Sequence, residues 1–405
     1  MNRQRIAVIG AGTAGLAAAT LLARQGHDIT LVERASALEP VGAGLLLQPS
    51  AIATLADMGC LEHLLQYGQR IDALYGWTGG GRAIMQVEYA HLKDSSEVFG
   101  LGVHRAALCH VLDSALSAVQ HRRWLGSEVL SIEQGEREAI VSFRCQAQVH
   151  SEAFDAVLVA NGSASQLRPQ SLVRHDRLYP WGAMWLIRPL THSLSALNKP
   201  WLQQKYDGSA VMLGALPTGC MPTDTATPML SLFWSLPVAA IPDWQAGYLD
   251  LAQWKERVVT LWPDLQGLIS HIESPSELLP ATYRDVILSR WGEGRTGVIG
   301  DAAHAMSPQL GQGANMALLD AATLARAVQS SADWDSVWAQ FHVARQGSIR
   351  FYQRMSRLLT PLFQSRIVGA SWARDLALPL SHRVPWMRRQ MAETVAGRKQ
   401  GWLLK

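Results

Sequence analysis

Two glycine-bearing motifs, almost three hundred residues apart, constrain this chain more than any other feature. The first, Gly10-Ala11-Gly12-Thr13-Ala14-Gly15, follows the apolar run 6–9 and precedes the Ala/Leu-rich stretch 16–23. An apolar run, a turn and a helical pattern in that order open a βαβ unit. Gly10 permits the tight turn, Gly12 lets the backbone approach a pyrophosphate, and Gly15 lets helix and strand pack closely. The helix start offers free amides and a positive dipole end to the phosphates. A second strand, 28–32, ends at Glu33, eighteen residues past Gly15 and just before Arg34. A carboxylate at that place meets adenosine ribose hydroxyls.

The second motif is Gly300-Asp301-Ala302-Ala303-His304, continuing to Gly311-Gln312-Gly313-Ala314-Asn315. The order and separation of the two suggest one cofactor held from both ends, adenosine by the first and isoalloxazine by the second. The expected cofactor is FAD.

Composition removes several other classes. At 405 residues and 48% hydrophobic content the chain can bury one large core or two coupled ones. Cys60, Cys109, Cys145 and Cys220 are scattered without a C-x-x-C, which argues against a disulfide scaffold or a zinc site and fits a reducing cytoplasm. The histidines show no H-E-x-x-H, so no metal is expected, and neither a G-x-S-x-G elbow nor a P-loop lysine motif is present. Arg3 and Arg5 ahead of the uncharged stretch 6–23 imitate a signal peptide or a membrane span. The glycine spacing and the strand-like start argue against both, so a soluble, cytoplasmic protein is expected. From Arg345 onward twelve Lys or Arg face only Asp375 and Glu393. Either these are ordinary solvated helix faces, or they form a basic face for an anionic substrate, a carrier protein or a membrane surface. Nucleic acid is not expected, since no binding motif accompanies the charge.

The pattern along the chain implies an α/β fold: a Rossmann-like cofactor domain (1–70, 100–170, 285–330), an inserted mixed β-sheet domain (71–99, 171–284) and C-terminal helices (331–405). Strand-like pieces flank Gly79-Gly80-Gly81, and 105–119 reads as a helix with Leu108, Leu112 and Leu116 on one face. A meander is expected over 128–132 and 139–143. Strands are expected at 154–160, 184–187, 210–216, 229–236 and 296–300. A long helix is expected at 314–328, followed by helices interrupted at Pro361, Pro379 and Pro385.

These stations resemble the single-component flavoprotein monooxygenases of the aromatic-hydroxylase class, typified by para-hydroxybenzoate and salicylate hydroxylases. The resemblance covers about residues 5–360. It rests on the first fingerprint with Glu33-Arg34, on Gly42-Ala43-Gly44-Leu45-Leu46 ahead of Gln48-Pro49, on Val103-His104-Arg105, and on the second motif. By resemblance, Gly44 and Leu46 run beside the flavin and Arg105 reaches the cofactor. Asp301 meets the ribityl hydroxyls, while Pro308 and Gly311-Gln312-Gly313 form a tight loop against the ring. The helix from about Ala314, with Asn315 in its first turn, points its positive end at the pyrimidine side, where reduced flavin is anionic. One departure is Asn161-Gly162, where the family has Asp-Gly; this puts in doubt a nicotinamide-nucleotide role for that position but not FAD binding.

The resemblance further implies NAD(P)H as reductant, oxygen addition at the flavin C4a, and transfer of one oxygen atom from the resulting hydroperoxide to an aromatic or polycyclic substrate. The flavin carries this chemistry. No catalytic side chain is assigned; His304 and Pro308 are the nearest candidates, and His304 reads more readily as a structural histidine. The substrate pocket is expected between the flavin loop and the inserted sheet, with Trp181, Met184, Trp185, Met212, Leu213, Phe233 and Trp234 as candidates, of which strand alternation lets about half face one side. Epoxidase, halogenase or reductase chemistry on the same scaffold, and a non-enzymatic flavin-bearing binding protein, are the alternatives. A monomer or homodimer is expected.

Overall fold

The computed structural model describes residues 1–38, 42–93 and 98–401, without the side chains of His192 and Ser193. Stretches 39–41, 94–97 and 402–405, assigned by sequence to the cofactor domain, the sheet domain and the C-terminal helices, lie outside the described residues.

The strand Arg5–Ile9 is buried over its last four residues and lies between two parallel neighbours, Asp28–Val32 and Ala156–Val159. Short strands Arg122–Trp124 and Thr296–Val298 continue the parallel sheet outward, and Gly292–Glu293 closes one edge in antiparallel sense. Strands buried this fully need cover on both faces. Helix Thr13–Arg24 covers one face, packed on helices Arg105–Ser117 and Gly313–Ser330. A three-stranded meander, Ser127–Gln134, Ala139–Cys145 and Gln148–Phe154, lies on the other side, with Val141, Phe143 and Phe154 in the shared core. The third of these strands is one the sequence reading passed over.

A second sheet of seven strands runs in the order Leu279–Leu288, Val173–Pro189, Met229–Pro237, Val211–Pro217, Trp201–Asp207, Ala73–Thr78, Ala83–Glu88. Six of its strands lie within 71–99 and 171–284, while Leu279–Leu288 runs four residues past the boundary expected at 284. One face packs on Trp244, Trp254, Val258 and Leu261 from the short helices that follow Met229–Pro237. A small antiparallel sheet, Gly44–Leu47, Gly100–His104 and Gln69–Ile71, joins the two units.

The C-terminal helices are Trp334–Phe363, Ala370–Ser381 and Pro385–Val395. Pro361 and Pro379 lie inside the first two instead of breaking them. Each stands two residues before its helix ends, where the missing N–H leaves one helical hydrogen bond unmade and the helix stops within the next turn. Pro385 does open a helix, at the first position where its missing N–H is not needed.

Candidate active site

One continuous cavity of about 1680 Å³ runs from Glu33 and Arg34, past the second glycine motif, to the face of the seven-stranded sheet that the short helices leave uncovered. A pocket for one small molecule measures roughly 300–1,000 Å³, so this space accommodates a large cofactor together with a substrate.

At one end, Gly10, Gly12, Thr13, Ala14, Glu33 and Arg34 form the wall. The residue capping helix Thr13–Arg24 is Gly12, and no side chain caps its amides, which stay available to a ligand. A Cβ on Gly12 would meet nothing, so open space lies over this helix end. Gly15 is absent from the wall; it serves the fold, since a Cβ there would stand 1.8 Å from the Gly10 carbonyl oxygen. The Glu33 carboxylate accepts hydrogen bonds from the amides of Ala11 (2.7 Å) and Ala35 (2.9 Å), which fixes its direction at the cavity edge.

In the middle stand Gly42, Ala43, Gly44, Leu45, Leu46, Gln48 and Arg105. Arg105 opens its helix, and the ring of His104 before it caps that helix by accepting from the Ala106 amide (3.1 Å). Asp301, His304, Pro308, Gly311, Gln312, Gly313 and Ala314 complete this wall. Helix Gly313–Ser330 also begins without a side-chain cap, so a second set of free amides faces the cavity. The exposed Asp301 carboxylate lies so near that a Cβ on Gly313 would be 3.6 Å from its Oδ1.

These features fit FAD from both ends: two uncapped helix starts for phosphate and for anionic flavin, and two wall carboxylates, Glu33 and Asp301, at the expected ribose and ribityl stations. Asp301→Ala is expected to weaken FAD retention by about 1.5–3 kcal/mol, roughly tenfold to a hundredfold in Kd, as a charge-assisted hydrogen bond is lost. Flavin fluorescence during dialysis reads this directly, and unchanged retention removes Asp301 from the cofactor site.

Two sequence assignments need correction. Asn315 is fully buried and does not reach the cavity: its Oδ1 accepts from the Gln48 amide (2.8 Å) and its Nδ2 donates to the Gly311 carbonyl (3.0 Å). It ties the flavin loop to the Gly44–Leu47 segment. His304 reaches the wall, but its Nε2 meets the buried carboxylate of Asp320 (2.5 Å). Asp320 also accepts from the Gly300 amide (2.9 Å) and from Nε of Arg345 (2.8 Å). The histidine is thereby committed to a structural network, the reading its sequence context favoured. The second correction concerns the substrate candidates. Trp185 pairs with Phe233, and Phe233 with Gly214, so alternation puts Trp185, Phe233 and Met212 on the cavity face. Met184, Leu213 and Trp234 take the other face, in the core beneath the short helices. Trp181 shares the face of Trp185 but does not reach the wall. A Cβ on Gly214 would stand 2.2 Å from the Phe233 ring, so a bare backbone there is what lets that ring lie across the sheet.

Several wall residues were missed. Tyr283 accepts a hydrogen bond from the Trp185 indole (3.3 Å), and burial pushes its phenol pKa up, keeping it protonated at neutral pH. Tyr206 donates to Gln204 (2.7 Å). Met355, Leu359, Phe363, Leu378 and Met391 arrive from the C-terminal helices. Strand alternation could have flagged Tyr206, but nothing local marks a helix 150 residues downstream as a pocket wall. In the departing motif, Asn161 lies on the wall beside Gly162 and Ser165. Arg168 is buried beneath it, bonded to the carbonyls of Ser163, Ser165 and Ala302 and to Asp176, so it clamps this loop to the Asp301 segment.

A sequence model of the FAD binding domain family matches residues 3–332, and the chain belongs to that family. Among relatives, 3-amino-4-hydroxybenzoate 2-monooxygenase of Streptomyces cremeus is 31% identical over 79% of this chain and 77% of its own. The 2-heptyl-3-hydroxy-4(1H)-quinolone synthase of Pseudomonas aeruginosa is 28% identical over 93% of this chain and 94% of its own. The fold matches Klebsiella pneumoniae HpxO, solved with FAD and uric acid, at a TM-score of 0.78 with 20% identity, covering 97% of each chain. The protein is an FAD-dependent aromatic monooxygenase that uses NAD(P)H as reductant.

Proposed function

We propose that this monooxygenase hydroxylates an extended aromatic ring, of bicyclic size, that carries an apolar substituent. The observation that supports this reading is the far end of the cavity. Trp185 and Phe233, with ring centroids 5.0 Å apart and planes tilted by 44°, offer an aromatic wall. Leu74, Met85, Leu202, Met212, Met355 and Leu359 add further apolar lining to the same cavity. Tyr283 and Gln204 are among the polar groups at that end, placed to orient a ring hydroxyl, carbonyl or nitrogen. A relative is named as the synthase of a hydroxyquinolone, a bicyclic ring that carries a heptyl tail.

Bound FAD, reduced by NAD(P)H, supplies the oxygen chemistry. The chain's residues hold the ring against the flavin loop, and the apolar wall keeps water from the reacting centre. The free thiols Cys60, Cys109, Cys145 and Cys220 suit a reducing compartment, and we place the enzyme in the cytoplasm.

The test is a series of bicyclic aromatics with tails of increasing length, followed by NAD(P)H consumption and product mass. kcat/KM is expected to rise with the tail. Phe233→Ala is expected to lower kcat/KM for a tailed substrate roughly tenfold to a hundredfold, from the ~1.5–3 kcal/mol of burying a side chain against it. FAD affinity stays unchanged, because Phe233 sits on the sheet. No dependence on tail length would contradict the proposal.

A further inference from the structure

The outer face of the last two helices is apolar and open to solvent. Along helix Ala370–Ser381 and the turn before it, Val368, Trp372, Leu376 and Leu380 recur every fourth residue, so they share one face. Trp372 is 84% exposed and Val368 fully so. Ile367, Val384, Trp386 and Met387 extend the patch to the start of helix Pro385–Val395. A contiguous apolar patch of this kind marks an interaction site.

The inner face of the same helix is firmly held. Arg374, 1% exposed, lies over the rings of Tyr206 (4.8 Å) and Phe363 (5.5 Å), donates to the carbonyls of Gly208 and Leu362, and pairs with Asp375 (2.8 Å). The exposed stripe is therefore presented by an anchored element and is not a frayed end.

Charge selects the occupant. Arg366 and Arg383 are exposed at the patch edges, with Arg388 and Arg389 half-buried beside it. Asp375 is the only acid in 366–392, and Arg374 engages it; the next, Glu393, is buried and pairs with Arg389. Two copies of this face would set arginine against arginine, whereas anionic headgroups would neutralise them. Tryptophans at the rim of an apolar, cationic face suit the headgroup boundary.

We propose that this face docks on an anionic lipid bilayer. The same helices line the cavity through Ala377, Leu378, Ser381, Met387 and Met391. Ala377 and Met387 are also exposed, so the cavity mouth opens at the docking face. Docking sets that mouth at the lipid boundary, where an apolar aromatic substrate partitions; this second consequence rests on the proposed hydroxylase substrate, whereas the docking itself does not.

The experiment is co-sedimentation of the FAD-loaded protein with vesicles of phosphatidylcholine alone or with one-third phosphatidylglycerol. Binding is expected only to the anionic vesicles, weakening severalfold at high salt. Trp372→Ser, Leu376→Ser and Trp386→Ser together should weaken binding at least tenfold while visible absorption shows FAD still bound. No binding by the parent protein, or equal binding by the variant, overturns the proposal. So does a parent dimer, seen by analytical ultracentrifugation, that the variant converts to monomer without vesicle binding. If docking holds but the variant hydroxylates a vesicle-dissolved tailed aromatic as fast as the parent, substrate delivery fails and docking stands. If docking holds and no aromatic is hydroxylated by either protein, the substrate reading is what has failed.

Discussion

Asp320→Asn is expected to destabilise the protein by about 3–5 kcal/mol, the cost of removing one partner from a buried ion pair. Asp320 is fully buried and is the shared acceptor for Gly300, His304 and Arg345. Burial alone would raise its pKa, but attraction to His304 and Arg345, with the hydrogen bonds from His304 and the Gly300 amide, outweighs this and holds it at about 2. An asparagine keeps the shape but leaves the Arg345 guanidinium buried without its charge partner. Because Asp320 also grips the Gly300 amide, the Asp301 segment loosens with it, and FAD should be lost before global unfolding. The folded pKa lies below the ordinary value of 3.8, so the stabilising contribution is complete above about pH 4 and fades as the pH falls toward 2. Urea unfolding at pH 7 and at about pH 3 checks both parts: the gap between parent and variant should be wide at pH 7 and narrower at pH 3. A gap below about 1 kcal/mol at pH 7 would mean the network is not what holds this segment.

Gly15→Val is the second large effect. The first carbon of any side chain there falls 1.8 Å from the Gly10 carbonyl oxygen and 3.5 Å from the Ala160 side chain. No rotamer relieves a clash at Cβ with backbone, so helix Thr13–Arg24 must move off the strand Arg5–Ile9. That displaces the free amides at the helix start from the pyrophosphate station. The expected outcome is a protein with no measurable FAD after purification and a lowered thermal midpoint. Gly12→Ala is the matched control, because a Cβ at Gly12 meets no protein atom and can clash only with the cofactor. The control should keep its stability and lose FAD affinity. If both variants bind FAD like the parent, no pyrophosphate lies over this turn.

The contrast between Gly15 and Asn315 shows what was legible beforehand. Gly15 works through spacing: strand, turn and helix are consecutive, so its contact with Gly10 can be read from the order of residues. Glu33 is similar, being the end of the next strand. Asn315 and His304 sit within a cofactor motif, yet their partners, Gln48 and Asp320, come from elsewhere, and neither contact has a local signature. The sheet face failed for a different reason. Alternation divides Trp185 and Phe233 from Met184 and Trp234 but cannot say which set faces the cavity; that is decided by Trp244 and Trp254, which cover one side. The proline breaks were misplaced by two residues, since Pro361 and Pro379 fall inside the last turns of helices that end at Phe363 and Ser381. The basic tail was read as a charge excess, but Arg345, Arg357 and Arg374 are spent on Asp320, Asp285 and Asp375. What distinguishes the tail's surface is its exposed apolar stripe, visible only once burial is known.

The central claim is that bound FAD and the aromatic wall together place one oxygen atom on an aromatic ring. The most direct measurement is a single incubation of purified, FAD-loaded protein with NAD(P)H, isotopically heavy dioxygen and an alkyl-substituted bicyclic aromatic, with the product analysed by mass spectrometry. The account predicts a product carrying one heavy oxygen atom and NAD(P)H consumption that the substrate accelerates. Substrate-independent NAD(P)H oxidation with unaltered aromatic, or a product whose added oxygen comes from water, would contradict it.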